Sequence, residues 1–462
     1  MSTKKKIWLT PLFLTAILAP TIVHAQSLEQ AVAAALDSHP DLRIALSKFK
    51  VAEEQAAQAK SGYLPTIDLT AGYGYEQTDS PATRRGINAA DDGQAGLKRG
   101  EFGLSLKQII FDGFYTSNES SRTEFEASAE QWSLFASAED IALSVAKSYT
   151  SVLEHQEVLS LSQKNLKAHQ DIYAQIKERT DSGLGSVADL SQVTGRLARA
   201  NVNVISATNN YRDSVAQFTK LVNQQPNNLV IPVPDADMLP ENKESGLQQA
   251  LANHPIIKSA TNDIESARFA KESAGSTNYP TITFELDANL NNNTAGEEGI
   301  DRLGTDVGGH NNNATAMLRL KYNLYSGNKN THQKRAAAYR ITEAVEINTK
   351  AHRDVTEGYT LAWNAFELLA MQKNYIRKHV ESSKETQTAY EQQFRLGQRS
   401  LLDVLDTENE LFEARKDFLN AEYQEINAQY RLFNSAGKLL ESLRVTPSPL
   451  WLGDREYSQG AK

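Results

Sequence analysis

Cysteine is missing from all 462 residues, which excludes disulfides, thiolate metal sites, cysteine nucleophiles and the lipid-bearing cysteine of a bacterial lipoprotein. No Lys/Arg-rich stripe follows the first residues, and the net charge is −9, so nucleic acid is not an expected partner. No later segment holds the roughly 18 consecutive apolar residues of a spanning helix, so any membrane insertion must use strands. Proline is absent between Pro81 and Pro226 and again between Pro280 and Pro447, and Phe114 to Ser182 lacks glycine too. Proline costs about 3 kcal/mol and glycine about 1 kcal/mol inside a helix. These stretches therefore permit very long helices, and about 70 residues would reach roughly 100 Å.

At the start, Lys4, Lys5 and Lys6 precede an apolar run from Ile7 to Leu18 and a Val23-His24-Ala25 cleavage pattern. Residues 1–25 read as a signal peptide, which places the mature chain outside the cytoplasm.

The chain also carries one pattern twice. His39-Pro40 returns as His254-Pro255 and Pro65-Thr66-Ile67 as Pro280-Thr281-Ile282, both at an offset of 215 (255−40, 280−65). Leu104 to Lys107 with Phe111-Asp112-Gly113 returns as Leu318 to Lys321 with Tyr325-Ser326-Gly327, at 214 (327−113). Gly183, Ser186 and Asp189 return as Gly397, Ser400 and Asp403 at the same 214 (397−183). A register held so long reads as a duplicated half-structure, with repeats over 27–222 and 245–440 and linking or equatorial segments at 223–244 and 441–462.

Within each repeat the apolar period changes. Ile141, Val145, Tyr149 and Val152, then Leu159, Leu166 and Tyr173, follow helical spacing, and Val355, Tyr359, Trp363 and Phe366 repeat the first four. They read as a packing seam over helices 114–222 and 328–440. Between the helices lie four segments of period two: Ile67 to Tyr75, Phe102 to Leu106, Ile282 to Leu290 and Ala316 to Leu324. Each has one apolar and one wet face, the latter carrying Glu285, Asp287, Arg319 and Lys321. Phe111, Tyr325, Tyr73 and Tyr75 stand near strand ends as interfacial girdles do. Residues 66–112 and 281–326 thus read as transmembrane barrel segments joined by polar loops, Asp79 to Gly100 and Asn292 to Asn313.

Topology then forces oligomerisation, because four strands make half of the smallest such barrel and open edges are not tolerated in hydrocarbon. Pro65 and Pro280 stand where helix gives way to strand, and Gly113 and Gly327 where strand returns to helix. All four read as structural corners.

Ser186 and Ser400 read as helix N-caps with Asp189 and Asp403 at N3, in capping-box-like pairs. Asp403 and Asp406, spaced i, i+3, share a helix face near an N-terminus. By itself this is also the pattern of a solvated acidic turn. His39 and His254 read as structural, and no HExxH, P-loop, GxSxG or cysteine zinc spacing supports a metal, cofactor or enzyme reading.

The signal peptide, the duplicated helix-strand-strand-helix halves and their corners together resemble the TolC family of outer-membrane ducts. The run Phe394-Arg395-Leu396-Gly397-Gln398-Arg399-Ser400-Leu401-Leu402-Asp403-Val404-Leu405-Asp406, followed by Glu408 to Arg415, is most similar to the branch that serves type I secretion. The resemblance implies a mainly α protein with a transmembrane β-barrel portion. In it, long coiled helices form a periplasmic α-barrel, and three copies of four strands share one twelve-stranded barrel. It further implies a homotrimer in outer-membrane lipid, a periplasmic adaptor and an inner-membrane ABC transporter. Its passive cargo would be a large polypeptide such as an adhesin; the alternative is multidrug or small-molecule efflux by a proton-driven pump.

By the same resemblance Asp403 and Asp406 are lumen carboxylates of the periplasmic gate. Stacked rings of them would attract cations and raise one another's pKa. Asp189 and Arg399 are gate-closing contacts. Phe394 and Ala188 stand where the best-known member of the family has a tyrosine and a threonine, a departure that bears on which bonds close the gate. Two other classes compete, a coiled-coil surface protein and a periplasmic enzyme; the four matched strands argue against the first, and the lack of a catalytic constellation against the second.

Overall fold

The computed structural model describes residues 25–79, 94–294 and 309–453. The leader before Ala25, the centres of both polar loops and the last nine residues lie outside the described residues.

Two repeats of one element order build the chain. The first comprises α1 (Leu28–Ser38), α2 (Pro40–Lys60), β1 (Thr66–Asp79), β2 (Gln94–Phe111), α3 (Tyr115–Asp181) and α4 (Val187–Val222). The second comprises α5 (Lys243–Asn253), α6 (Pro255–Gly275), β3 (Thr281–Thr294), β4 (Gly309–Lys321), α7 (Lys329–Arg395) and α8 (Leu401–Ser435), and a short α9 (Leu439–Ser442) follows. Both α3 and α7 run for 67 residues, about 100 Å at 1.5 Å per residue.

Local chemistry sets the element ends. Ser27 and Gln30 form a reciprocal capping box on α1. The paired histidines act alike, His39 Nδ1 accepting from the Asp41 N–H at 3.2 Å and His254 Nδ1 from the Ile256 N–H at 3.3 Å. Each imidazole caps a helix whose first residue is proline, the position where a missing N–H costs nothing. Burial pushes the His254 pKa down to about 4, so it accepts as a neutral ring.

Pro65 and Pro280 follow short 3-10 turns, Ser61–Tyr63 and Ser276–Asn278, and the preceding Leu64 and Tyr279 are extended, as a residue before proline must be. At the return corners Gly113 and Gly327 take φ of +70° and +63°. Phe114 and Asn328, next in chain, are also left-handed. A Cβ on Gly113 would lie 2.5 Å from the Ser276 carbonyl, so the first corner needs glycine for space as well as for φ.

The four strands form one antiparallel sheet in the order β1-β2-β3-β4. Its register puts Leu69, Leu104, Ala288 and Ala314 in one row and Ile67, Leu106, Leu286 and Ala316 in the next, all on one face. Ile67, Leu69, Tyr73 and Leu318 are exposed there. The opposite face carries Arg319–Glu285 and Arg99–Glu76 ion pairs at 2.8 and 2.6 Å.

Strands reach further into the polar segments than alternation indicated. β2 begins at Gln94, and Asn289 to Asn293 pair with Asn313 to Gly309. The opposite deviation occurs at the other end of β4, which stops at Lys321 although Tyr322 and Leu324 continue the pattern. β2 is bonded on both sides, whereas β4 is an edge strand and its last alternating residues have no neighbour.

The core sits where short and long helices meet. Leu28, Val32, Phe49, Leu134, Val145, Tyr149, Phe218 and Phe433 form its centre. The Tyr149 hydroxyl, 2.7 Å from the carbonyls of both Gln26 and Val230, ties the start of the chain and the inter-repeat link to α3. Trp451 is buried in the same core, its carbonyl accepting from Gln131 at 2.8 Å. Ile141, Val145, Tyr149 and Val152 are buried, while Leu159, Leu166 and Tyr173 are half-buried.

Candidate functional site

The far ends of the two helical hairpins converge on a small apolar knot. Ile176 of α3, Val193 of α4 and Leu401 and Leu405 of α8 are buried together, with Tyr173, Leu190 and Phe394 against them. Phe394 therefore contributes its ring to this knot, a role that requires no hydroxyl.

Both hairpin turns are built alike. Leu184 N–H donates to Arg179 and Gly183 N–H to Thr180, at 2.8 and 3.0 Å; Gln398 N–H donates to Gln393 and Gly397 N–H to Phe394, both at 2.9 Å. With Gly183 and Gly397 at φ of +73° and +75°, these are Schellman closures. Leu184, Val187 and Leu396 are exposed at the turns.

Caps differ between the two restarts. Ser400 Oγ accepts from the Asp403 N–H and Asp403 returns a carboxylate to the Ser400 N–H, at 3.2 and 3.1 Å, a complete box. Ser186 accepts instead from the Ala188 N–H at 3.1 Å. That bond reaches the second residue of the helix and leaves Asp189 outside the cap, so the expected pairing of Ser186 with Asp189 is corrected.

The Ser400 N–H holds the Asp403 carboxyl below the usual range. The upward shift expected of ring carboxylates is therefore opposed, within one chain, by a bond that favours the charged form. Arg399 is likewise engaged close to home: its Nε donates to Gln393 at 3.1 Å and its guanidinium lies 4.4 Å from the centre of the Tyr390 ring. Among the described residues no ion pair joins Arg399 to Asp189 in the same chain.

Asp406 has a partner that spacing did not indicate. Arg196 of α4 reaches it at 2.5 Å, bridging the two hairpins one turn inside the knot. A pocket of about 200 Å³ opens beside the pair, lined by Asn165, His169, Arg196, Arg199, Asn203, Asp406 and Asn409. His169 is 3% exposed and its Nδ1 has no hydrogen-bond partner; burial and the neighbouring Arg196 push its pKa down. Arg196 carried one sequence signal, its place seven residues beyond Asp189 on the same helix face.

Further along the helices, the hairpins are joined by polar contacts between α3 and α8. Tyr423 donates to Glu157 at 2.9 Å and Thr150 to Asn427 at 2.8 Å. Lys373 of α7 pairs with Glu425 of α8 at 2.6 Å. Among the described residues no cluster of His, Asp and Glu has the arrangement of a metal site, and no helix is long and apolar enough to cross a membrane.

A sheet with one apolar face, set on a long helical stalk that ends in two capped hairpin turns, defines an outer-membrane channel. The family model described as "Outer membrane efflux protein" matches residues 31–224 and 246–438, one copy per repeat, and the chain belongs to that family. It resides in the outer membrane, extends into the periplasm and passes its cargo without catalysis.

Among curated relatives, the outer membrane efflux protein BepC of Brucella suis biovar 1 is 23% identical over 86% of this chain and 82% of its own length. The outer membrane protein TolC of Vibrio cholerae is 24% identical over 90% and 92%, and the alkaline protease secretion protein AprF of Pseudomonas aeruginosa 21% over 84% and 80%. Of solved structures, the CmeC outer membrane channel of Campylobacter jejuni superposes with a TM-score of 0.76 at 15% identity, covering 89% of this chain and 86% of that one.

Proposed function

We propose that three copies of the chain close their sheets into one barrel and their helices into one tube, forming the exit duct of a tripartite type I secretion system. The carrying observation is the sheet itself: β1 and β4 are both open edges, the face between them is apolar, and such edges are viable in lipid only when another strand covers them. A periplasmic adaptor and an inner-membrane ABC transporter complete the assembly, and the exposed Leu184, Val187 and Leu396 at the turns offer the adaptor an apolar contact.

Asp403 and Asp406 line the closed tip in this reading, and Asp189 and Arg399 meet across neighbouring copies. The run from Phe394 to Asp406 supports the secretion branch, as does the likeness to AprF, a protease secretion protein. Cargo is a large polypeptide such as an adhesin, passing unchanged. The likeness to BepC, an efflux protein, supports small-molecule efflux with a proton-driven pump as the second reading.

Deleting the chain in its own bacterium tests the choice. Loss of a large polypeptide from the medium or cell surface, with drug tolerance intact, is expected. Increased drug sensitivity with secretion unchanged would overturn the secretion reading in favour of efflux.

A further inference from the structure

The residue that the tip adds to its carboxylates is a cation. Arg196 leaves α4 and meets Asp406 of α8 at 2.5 Å, so the carboxylate that sits farther from the turn is held in an ion pair by its own chain. Asp403, one turn nearer the end, is in no ion pair among the described residues; its Oδ2 accepts from the Ser400 N–H, and Arg399, the cation that acts on it, is itself held by Gln393 and the Tyr390 ring.

The surroundings of the pair strengthen the contrast. Asp406 supplies the one carboxylate among the residues that line the adjoining pocket, against the guanidinium groups of Arg196 and Arg199 and the amides of Asn165, Asn203 and Asn409. Arg199 is exposed, and among the described residues no carboxylate pairs with it. His169, buried behind Arg196 and held neutral, adds no charge. The charge of Asp406 is therefore matched at contact distance by Arg196, with exposed Arg199 nearby, whereas Asp403 has no cation at contact distance among the described residues.

We infer that Arg196 is a specificity-determining residue of the tip: by pairing with Asp406 it cancels the inner ring of carboxylates and leaves Asp403 alone to set the preference for cations. The inference rests on the duct reading, in which both aspartates face the lumen. Rings of fixed charge in a narrow pore set the ratio of cation to anion passage, and a paired carboxylate at contact distance presents a dipole rather than a net charge to a passing ion. The same pair ties α4 to α8, so any widening of the tip that separates the hairpins must break it, and the inner ring becomes negative only as the duct opens.

Planar-bilayer recordings of the purified channel test this, reading the cation-to-anion permeability ratio from the zero-current potential in a KCl gradient. Arg196→Gln is expected to raise the ratio roughly twofold or more, because it exposes a second ring of carboxylates. Asp406→Asn is expected to lower it, because Arg196 is then unpaired. The double variant Arg196→Gln with Asp406→Asn should return close to the native ratio. Asp406 is exposed and its replacement leaves the apolar knot untouched, so the arm that uses Asp406→Asn stands even where Arg196→Gln does not assemble. An unchanged ratio in Asp406→Asn, or in Arg196→Gln with conductance intact, overturns the inference. A native chain without any conductance overturns the duct reading instead.

Discussion

Gly113 and Gly327 occupy equivalent corners yet carry different loads. Both are left-handed, a conformation that costs a residue with a Cβ about 1 to 2 kcal/mol. Gly113 alone is also crowded, with Ser276 and Tyr279 where a Cβ would go, while nothing lies within 4 Å of that point at Gly327. Gly327→Ala should therefore lower stability by the conformational cost alone, about 1 to 2 kcal/mol. Gly113→Ala should cost more, because the β2–α3 corner must move off the 3-10 turn before β3. Thermal midpoints of the two purified variants check the order; equal losses would contradict it. Phe114 shares the strain at the same corner, since its φ is +68°, and its ring packs edge-on to Phe111 and Tyr279 at 5.3 and 6.0 Å.

Among the elements, the short α9 is fastened to α3 by a buried carboxylate. Glu139 of α3 is buried, and its two oxygens accept the N–H groups of Leu439 and Leu440 at 2.9 and 3.2 Å. Burial pushes its carboxyl up to about 7, aided by Asp140 and Glu441 and opposed by the two backbone bonds. Between its ordinary value of 4.5 and 7 the folded chain thus binds more protons at this site than the unfolded chain does. Its contribution to stability is full below that window and lost as pH rises through it, by up to about 3 kcal/mol at one unit per 1.36 kcal/mol. Glu139→Gln should remove this slope. Melting the native and variant proteins at pH 5 and pH 8 would show it as a smaller difference between the two pH values in the variant; an equal difference would refute the assignment.

The same scale explains what was legible in the sequence. Helix, strand and corner were written in proline, glycine and a change of period, because those residues act through local backbone geometry. The extent of β4 was not, since alternation runs on through Tyr322 and Leu324 while pairing depends on a neighbour. Arg196 was hidden for a related reason. Matching the halves at 214 sets Glu410 opposite Arg196 and Gln192 opposite Asp406, so the ion pair lies where the duplicated copies differ. The contact between Asp189 and Arg399 came from resemblance, and within one chain Arg399 is engaged by Gln393 and the Tyr390 ring instead. The seven-residue step from Asp189 to Arg196 marks a shared helix face, but a partner on another helix leaves no periodic trace.

For the whole molecule, the chain has no self-sufficient form. A sheet open on both sides and apolar on one face cannot stay in lipid or in water as a single copy. Light scattering in detergent should therefore give a mass of three mature chains, each below the 51.1 kDa of the full sequence by the mass of its leader; a stable monomer would break the argument from edge strands. Without cysteine, that assembly is held by packing, strand pairing and polar contacts alone.

The unpaired margins of β1 and β4 also have a genetic meaning. When each working unit draws three subunits from one pool, a variant crippled only at its β4 margin spoils every unit that it enters. With equal amounts of sound and damaged subunits, random mixing leaves about one unit in eight free of damage. Such alleles should behave as dominant, and the phenotype of a cell carrying both alleles would report how many subunits share the wall.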